Sequence, residues 1–290
     1  MLAVAADTSF SWAPGPILIV LLLTGLYVTR WRQVRKSGST RGASYTRLFA
    51  FLGGVLCVAI ALISPIDTLA DQVFAMHMIQ HVLLLDFAPI LLILGLTKVL
   101  LRPVARTILD AERALGPIAN PVFAVAFYVG VMWLWHIPFM YDAALNHSGV
   151  HVIEHTFFIS AGLLYWWHLL SPVRGRHLTG LAPVGYMVST KVFVGLLGIF
   201  LTFAPSSIYS FYEHRPQVWG LHPADDQALA GAIMAIEQSI VMGVALAYLF
   251  VRALAESERQ QEREDRYEDQ REAAAAAAAA RARAGAAPEA

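Results

Sequence analysis

Long apolar runs alternate with short polar segments along this chain, and their lengths predict its fold. Seven runs carry few charges and approach the ~20 residues that a helix needs to cross the hydrocarbon of a bilayer. They cover residues 16–29, 48–63, 77–96, 121–135, 152–170, 186–203 and 229–252. Because lipid offers no hydrogen-bond partners to the backbone, we expect each run to be helical. The pattern predicts an all-α, polytopic bundle of about seven transmembrane helices.

The composition narrows the class of protein further. Of the 290 residues, 57% are hydrophobic and only 14% are charged, well below the usual quarter. The single cysteine, Cys57, lies inside an apolar run, so there is no disulfide framework and no paired-thiolate metal site. No phosphate-binding loop or basic nucleic-acid surface is present, so we expect a lipid bilayer and no nucleic acid as surroundings. The first run has no basic residue before it and is interpreted as a retained helix rather than a signal peptide.

Basic residues occur in alternate loops, and this alternation predicts the orientation. Six lie between the first two runs, four between the third and fourth, and seven from Arg252, at the end of the last run, onward. Arg174 and Arg176 lie in the fifth loop, whereas the intervening loops hold only Arg215. The positive-inside rule then places the N-terminus outside and the C-terminus in the cytoplasm. Residues 1–253 form the predicted transmembrane domain. Residues 254–290 are a charged, Ala-rich cytoplasmic tail, either a helical extension or disordered.

Histidines gather on the predicted outer side of the membrane. The ones placed there are His77, His81, His136, His147, His151, His155, His214 and His222. Two pairs, His77 with His81 and His151 with His155, have a spacing of four residues. This spacing puts both imidazoles of a pair on one helix face. His136 ends a further apolar run. The clustering indicates a shared metal or redox site.

The residue types around the histidines indicate which metal such a site would hold. Neutral imidazoles suit copper, zinc and iron, and a thioether favours Cu(I). Glu154 lies inside the second pair and Asp67 in the preceding outer loop, where either can ligate or orient a histidine. The predicted metal ligands are His77, His81, His136, His151, His155, Met78, Glu154 and Asp67. We expect the two pairs to converge on one ion. The residues favour copper through the nearby thioether, and zinc and iron stay open at this point.

Acidic residues within the apolar runs indicate a second functional region. Asp86 lies five residues past His81, and Glu237 lies inside the last run. Ionisable groups are costly at this depth and usually serve a function that faces the bundle interior. We expect Asp86 and Glu237, together with Met234, to act as a relay next to the metal site.

Two other functions remain open at this point. The segment His151-Val152-Ile153-Glu154-His155 matches the H-x-x-E-H pattern of a class of zinc metalloproteases. Histidines on separate helices can also ligate haem, as in a membrane cytochrome. The first alternative leaves the other histidine pair without a role. The second lacks electron-transfer ligands on the inner side, where only His168 and His177 lie.

Several motifs in fixed order resemble the CtaG family of multi-spanning assembly factors for caa-type cytochrome c oxidase. They are Ser64-Pro65-Ile66-Asp67, His77-Met78-Ile79-Gln80-His81, Trp135-His136-Ile137-Pro138 with Tyr141, His151 to His155 followed by Trp166-Trp167, and Asp226-Gln227 before Gly231-Ala232-Ile233-Met234. The resemblance implies a non-catalytic, multi-pass protein of the bacterial plasma membrane. It also implies cytochrome c oxidase subunits as partners and copper supply to the respiratory oxidase as the role. Self-association into a homo-oligomer stays open.

Overall fold

The helices account for all the regular structure in the described part of the chain. The structure is a computed structural model that describes residues 5–173, 178 and 180–285, and no β-strand occurs in these ranges. In chain order the helices are α1 (Pro14–Lys36), α2 (Tyr45–Leu62), α3 (Pro65–Ala70), α4 (Phe74–Val82), α5 (Ala88–Gly95), α6 (Lys98–Leu101), α7 (Ala105–Leu115), α8 (Pro121–Trp135), α9 (Pro138–Asn146), α10 (Ser148–Leu170), α11 (Ala182–Phe203), α12 (Ser210–Glu213) and α13 (Pro223–Gly285). Arg174, Arg176 and His177, predicted in the fifth loop, lie outside the described residues.

The helix lengths confirm a helical membrane protein. In the described part of the chain, five helices are long and apolar enough to span a bilayer: Pro14–Lys36, Tyr45–Leu62, Phe74–Gly95, Ala182–Phe203 and Pro223–Ala277. A sixth span results if Ala105–Ala119 and Pro121–Trp135, bent by 64° against each other, are counted together. Helix α10 is not among them, because its histidines and Glu154 lower its hydropathy. The count of seven spans and the orientation therefore stay predictions.

Basic side chains and the histidine pairs occupy opposite ends of the bundle. Arg30 donates hydrogen bonds to backbone carbonyls in α6, and Arg47 donates to the carbonyl of Leu94 near the end of α5. Gly95, at this end, lies 18 residues beyond His77, which is about 27 Å at 1.5 Å per residue. The segregation of charge and imidazole seen in the sequence is thus also a segregation in space.

Two apolar cores hold the bundle together. The larger one includes buried side chains of α4, α8, α10, α11 and α13, with Tyr128 and Trp166 among its largest members. The smaller one joins α1, α2 and α5, where the rings of Tyr27 and Phe51 stack with centroids 3.8 Å apart. Helix α1 therefore lies against the side of the bundle, away from the histidine pairs.

A π-helical turn, Leu83–Phe87, joins α4 to α5 into one rod. Pro89 explains why the α-helix cannot continue regularly, because its ring would clash with the carbonyl four residues earlier, that of Leu85. The wider turn relieves this clash. The Leu85 carbonyl instead approaches Gly162 of α10, where a Cβ atom would lie only 2.0 Å from the oxygen. A glycine at this position is what lets α10 pack so closely against the rod.

The tail predicted as a helical extension or as disordered continues α13. This helix runs without a break from Pro223 to Gly285. Side chains of residues 256–277 are exposed, as expected for a segment with dense charges and no apolar face. The helix therefore projects beyond the two apolar cores.

Candidate metal centre

Helix α4 carries the first histidine pair, and a residue far along the chain caps its start. The residue before this helix, Val73, makes no side-chain cap. Instead the Asp226 carboxylate accepts hydrogen bonds from the amides of Phe74 (2.7 Å) and Ala75 (2.9 Å). These amides belong to the first turn, whose N–H groups lack acceptors within the helix. Asp226 thereby connects α13 to the turn that presents His77.

Helix α10 carries the second pair and begins at the same end of the bundle. Short helices α9 and α12 form a lid of aromatic residues beside it. The Tyr212 hydroxyl donates to the carbonyl of Ala70 (2.8 Å) and lies 3.1 Å from the Tyr141 hydroxyl. The Tyr141 ring lies 5.1 Å from the His77 ring, centroid to centroid. The lid thus encloses the first turns of α4 and α10.

Four imidazoles surround the Glu154 carboxylate. His81 Nε2 lies 3.5 Å from Oε1, while His77 Nε2 and His151 Nε2 lie 3.7 and 4.0 Å from Oε2. The centroid of the His155 ring lies 4.2 Å from that of the His151 ring and 5.9 Å from that of the His81 ring. The structure therefore brings both predicted pairs and the predicted glutamate together.

The nitrogen and oxygen atoms that face one another here are buried, and most of them have no hydrogen-bond partner within the described ranges. His77 and Glu154 are 0% exposed, and His81 is 2% exposed. Among the described residues, no hydrogen-bond partner is found for both ring nitrogens of His77 and of His81, both oxygens of Glu154, and Nε2 of His151 and of His155. Buried polar groups almost always have partners, so donor atoms that face one another without one are typical of a ligand-binding site. Imidazole nitrogens and a carboxylate fit a metal cation.

The donor atoms separate into two groups of three. One contains His77, His151 and Glu154, and the other contains His81, His155 and Glu154. Within each group the ligand atoms lie within 4.8 Å of one another. Glu154 belongs to both groups, although sequence reasoning gave it only a ligating or orienting role.

His136 and Met78 form a neighbouring pair rather than part of either group. The His136 Nε2 atom lies 3.4 Å from the Met78 sulfur. Its Nδ1 donates to the carbonyl of Met132 (2.6 Å), so Nε2 keeps a free lone pair. The ring lies 6.4 Å from the His81 ring. The predicted ligands His136 and Met78 are thus adjacent to the centre and available as a nitrogen–thioether pair.

Asp67 lies outside both groups. Its carboxylate accepts a 2.7 Å hydrogen bond from Gln80, which also donates to the carbonyl of Ala61 (2.7 Å). Gln80 lies in α4 one residue before His81. Asp67 therefore fixes the rotational position of α4 through Gln80, without direct contact with an imidazole nitrogen.

A polar cluster lies one to two turns deeper than the histidines. The Asp86 carboxylate accepts hydrogen bonds from Tyr128 (2.7 Å), Trp166 (2.7 Å) and Gln238 (3.3 Å). Gln238 also donates to Glu237 (3.1 Å). The cluster is buried in the larger core.

A cavity of about 10 Å³ connects this cluster to the histidines. Its lining includes Met78, His81, His136, Met234 and Glu237. This volume is close to the minimum that holds one water molecule. The predicted relay residues Asp86, Glu237 and Met234 are therefore adjacent to the inner side of the centre.

Sequence reasoning missed the residues that hold Asp86 in place. Tyr128, Trp166 and Gln238 come from three different helices, and no spacing in the sequence links them to Asp86. The one available signal was Gln238 directly after an intramembrane glutamate. A buried amide beside a buried acid is typical of hydrogen-bonded networks.

A family model spans most of the chain and all of these residues. The model for the cytochrome c oxidase caa3 assembly factor (Caa3_CtaG) matches residues 25–256. This chain belongs to that family. The resemblance inferred from the histidine and tryptophan motifs is confirmed. The centre, the His136–Met78 pair and the deeper acids all lie within the matched region of this caa3 assembly-factor family member.

This chain is similar to curated proteins from mycobacteria. The chain is 25% identical over 224 residues to "Uncharacterized protein ML1998" of Mycobacterium leprae, covering 71% of this chain and 34% of that protein. It is 25% identical over 230 residues to "Uncharacterized protein Mb0105" of Mycobacterium bovis, covering 74% and 34%. The chain thus spans about a third of the length of these relatives. No solved structure matches it.

Proposed function

We propose that this protein binds copper at the histidine–glutamate centre and delivers it to the metal centre of a caa3-type cytochrome c oxidase. Membership of the assembly-factor family supports the role in oxidase biogenesis. The observation that carries the copper proposal is the set of buried nitrogen and oxygen donors without protein partners. We name this set, His77, His81, His151, His155 and Glu154, the metal centre.

The energetics of the metal centre favour a bound cation. Each buried polar group left without a partner costs about 1–3 kcal/mol, and charged groups cost more. Five such side chains gathered on two adjacent helices would be a large penalty for a purely structural arrangement. A cation supplies the missing interactions of several donors at once. Metal binding therefore offsets a cost that the fold otherwise carries.

The donor types support copper as the cargo. Imidazoles bind several transition metals, but the adjoining His136–Met78 pair adds a thioether, which selects Cu(I). No thiolate is available, since Cys57 lies in α2 away from this centre. A site without thiolates releases copper more readily to a better-organised acceptor. Transfer by exchange of one ligand at a time, from the centre through His136 and Met78, follows from this arrangement.

The position of the metal centre suits delivery within a membrane. The donors lie in the outer ends of predicted spans, under the aromatic lid, and opposite the basic end of the bundle. An oxidase subunit that receives copper at membrane depth can meet such a donor laterally. We accordingly place the protein in the bacterial plasma membrane, with oxidase subunits as partners and no catalytic activity of its own.

The geometry favours this role over the two alternatives. A haem macrocycle needs a flat slot between its axial ligands, whereas here the Glu154 carboxylate lies among the imidazoles, 3.5, 3.7 and 4.0 Å from the Nε2 atoms of His81, His77 and His151. A metalloprotease needs its glutamate free to activate water. Glu154 instead lies between the imidazoles and is fully buried.

Copper content and oxidase assembly test the proposal together. Glu154→Gln keeps the shape of the side chain but removes the only anionic donor of the metal centre. We expect at least a tenfold loss of Cu(I) affinity in competition with a chromogenic chelator, and loss of oxidase activity in cells. His147→Ala is the matched control, because that histidine is exposed and makes no cap to α10.

Added copper distinguishes a carrier from a scaffold. If the variant fails only because it binds copper weakly, excess copper in the medium should partly restore the oxidase. Full Cu(I) affinity in the Glu154→Gln variant, or a purified wild-type protein that binds no copper, would contradict the proposal. An assembly defect that no copper concentration relieves, with copper binding intact, would indicate a scaffold.

A further inference from the structure

The four histidines form two layers, each drawn from both helices. Helices α4 and α10 start at the same end of the bundle, and each carries histidines one turn apart. The outer layer pairs His77 with His151, and the inner layer pairs His81 with His155. Residues four apart on one helix therefore lie in different layers, whereas residues at matching positions of the two helices lie in the same one.

Ring orientations agree with this division. The planes of His77 and His151 are 21° apart, and both Nε2 atoms face Oε2 of Glu154. The planes of His77 and His81, on the same helix, are 81° apart. Because ring nitrogens donate within the ring plane, the two imidazoles of α4 aim at different points. His81 accordingly faces the other oxygen, Oε1.

The distances between donor atoms support one ion in each layer. Metal–nitrogen bonds are about 2.0–2.1 Å, so two donors of one ion lie at most about 4.2 Å apart. The distances from Glu154 to His77 and His151 (3.7 and 4.0 Å) and to His81 (3.5 Å) fall inside that limit, and all donor atoms of a layer lie within 4.8 Å of one another. The five donors do not form a single group; they form two groups that share only Glu154.

We infer that the metal centre holds two cations at once, one in each layer, with the Glu154 carboxylate bridging them. The inference rests on the proposed function and extends it from the identity of the cargo to its number and arrangement. Each ion has two imidazoles and one carboxylate oxygen. Bridged ions of this kind lie about 3.5–4 Å apart in other two-metal sites.

Charge balance favours monovalent ions. The protein contributes neutral imidazoles and a single carboxylate, so two Cu(I) ions leave a net charge of +1, whereas two divalent ions leave +3. Uncompensated charge is costly in a buried site. The inner ion also lies next to the His136–Met78 pair, and the outer layer contains His151, which is 18% exposed at its side chain. Entry through the outer layer and exit from the inner layer follow from this order.

Four double variants distinguish a metal centre that holds one ion from one that holds two. His77→Ala with His151→Ala removes the outer layer, and His81→Ala with His155→Ala removes the inner one. Each of these layer variants keeps one complete group of three donors, so we expect bound Cu(I) to fall from two ions per protein to one. The same-helix variants, His77→Ala with His81→Ala and His151→Ala with His155→Ala, take one donor from both layers. We expect them to retain almost no copper.

The measurement is Cu(I) per folded protein, counted by native mass spectrometry and checked by chelator competition. The primary measurement is made on the wild-type protein, so it does not depend on whether a variant folds. We expect two Cu(I) ions per protein. A stoichiometry of one, with all four double variants alike, would overturn the two-ion inference and leave the proposed function intact. A wild-type protein without copper would overturn the proposed function instead. Size-exclusion elution and helical circular dichroism identify any misfolded variant. Such a variant is replaced by one with His→Asn substitutions at the same positions.

Discussion

The Asp226 carboxylate connects the last helix to the first turn of α4, and its removal should be measurable as a loss of stability. Asp226→Ala would leave the amides of Phe74 and Ala75 without acceptors, and both residues are 1% exposed. A hydrogen bond to a charged group contributes about 1.5–3 kcal/mol. Loss of a helix cap costs about 0.5–2 kcal/mol. Because one carboxylate serves both bonds, we expect a total loss of about 2–4 kcal/mol.

Asp226→Asn refines the estimate, since the amide keeps one neutral acceptor oxygen. We expect it to lose about half as much, roughly 1–2 kcal/mol. Asp225→Ala is the matched control, because Asp225 is an exposed acid in the same turn of α13. Its removal should change the free energy of unfolding by no more than about 0.5 kcal/mol.

The assay is denaturant unfolding of the metal-free protein in mixed micelles, followed by helical circular dichroism. Comparing metal-free samples keeps the effect on the fold separate from any effect on copper. Equal unfolding midpoints for Asp226→Ala and Asp225→Ala, at unchanged slope, would refute the reasoning. In that case packing alone, and not the cap, would hold the start of α4 beside α10.

Three further predictions concern topology, cofactor and packing. In a cysteine-free background, Ser148→Cys should react with an impermeant thiol reagent in intact cells and Ser37→Cys should not; reversed labelling would overturn the predicted orientation. Purified protein should show no haem absorption band, and a stoichiometric Soret peak would favour the cytochrome alternative. Gly162→Ala should destabilise the fold by several kcal/mol, since its Cβ would overlap the Leu85 carbonyl. Gly130→Ala, in open space on α8, should be neutral or stabilising by up to about 1 kcal/mol, and equal unfolding of the two variants would contradict the close packing.

The sequence was most informative where a spacing of a few residues sets the geometry. His77 and His81 share a helix face because any helix places residues four apart together. The Glu154 position between His151 and His155 made it a candidate ligand for the same reason. These local rules sufficed to select side chains that the structure brings together.

The arrangement between helices could not be predicted from such rules. The spacing led us to expect both pairs on one ion, whereas the structure has two groups of three donors, each with one histidine of α4 and one of α10. That grouping depends on how two helices are aligned along their axes. The Asp226 cap joins residues about 150 positions apart, and only tertiary packing brings them together. The polar partners of Asp86 also lie on other helices, so they could not be predicted from spacing in the sequence.

The π-helical turn between α4 and α5 has a consequence for how this rod can change over evolutionary time. A turn closed by i→i+5 hydrogen bonds contains one residue more than an α-helical turn. Each α-helical residue advances about 100° around the axis, so this extra residue sets the rotational phase of everything after it. Deleting one residue from Leu83–Phe87 would leave the histidines on their face while rotating α5 by roughly that angle.

The turn thus divides the rod into two halves, and the rotation of each half about the helix axis is set separately. The spacing of His77 and His81 is fixed entirely before the turn, and the contacts of α5 with α2 are fixed entirely after it. An insertion or deletion inside the turn alters the second half without moving the first. Alignments of relatives are therefore expected to place single-residue gaps here, while the interval between the two histidines stays constant.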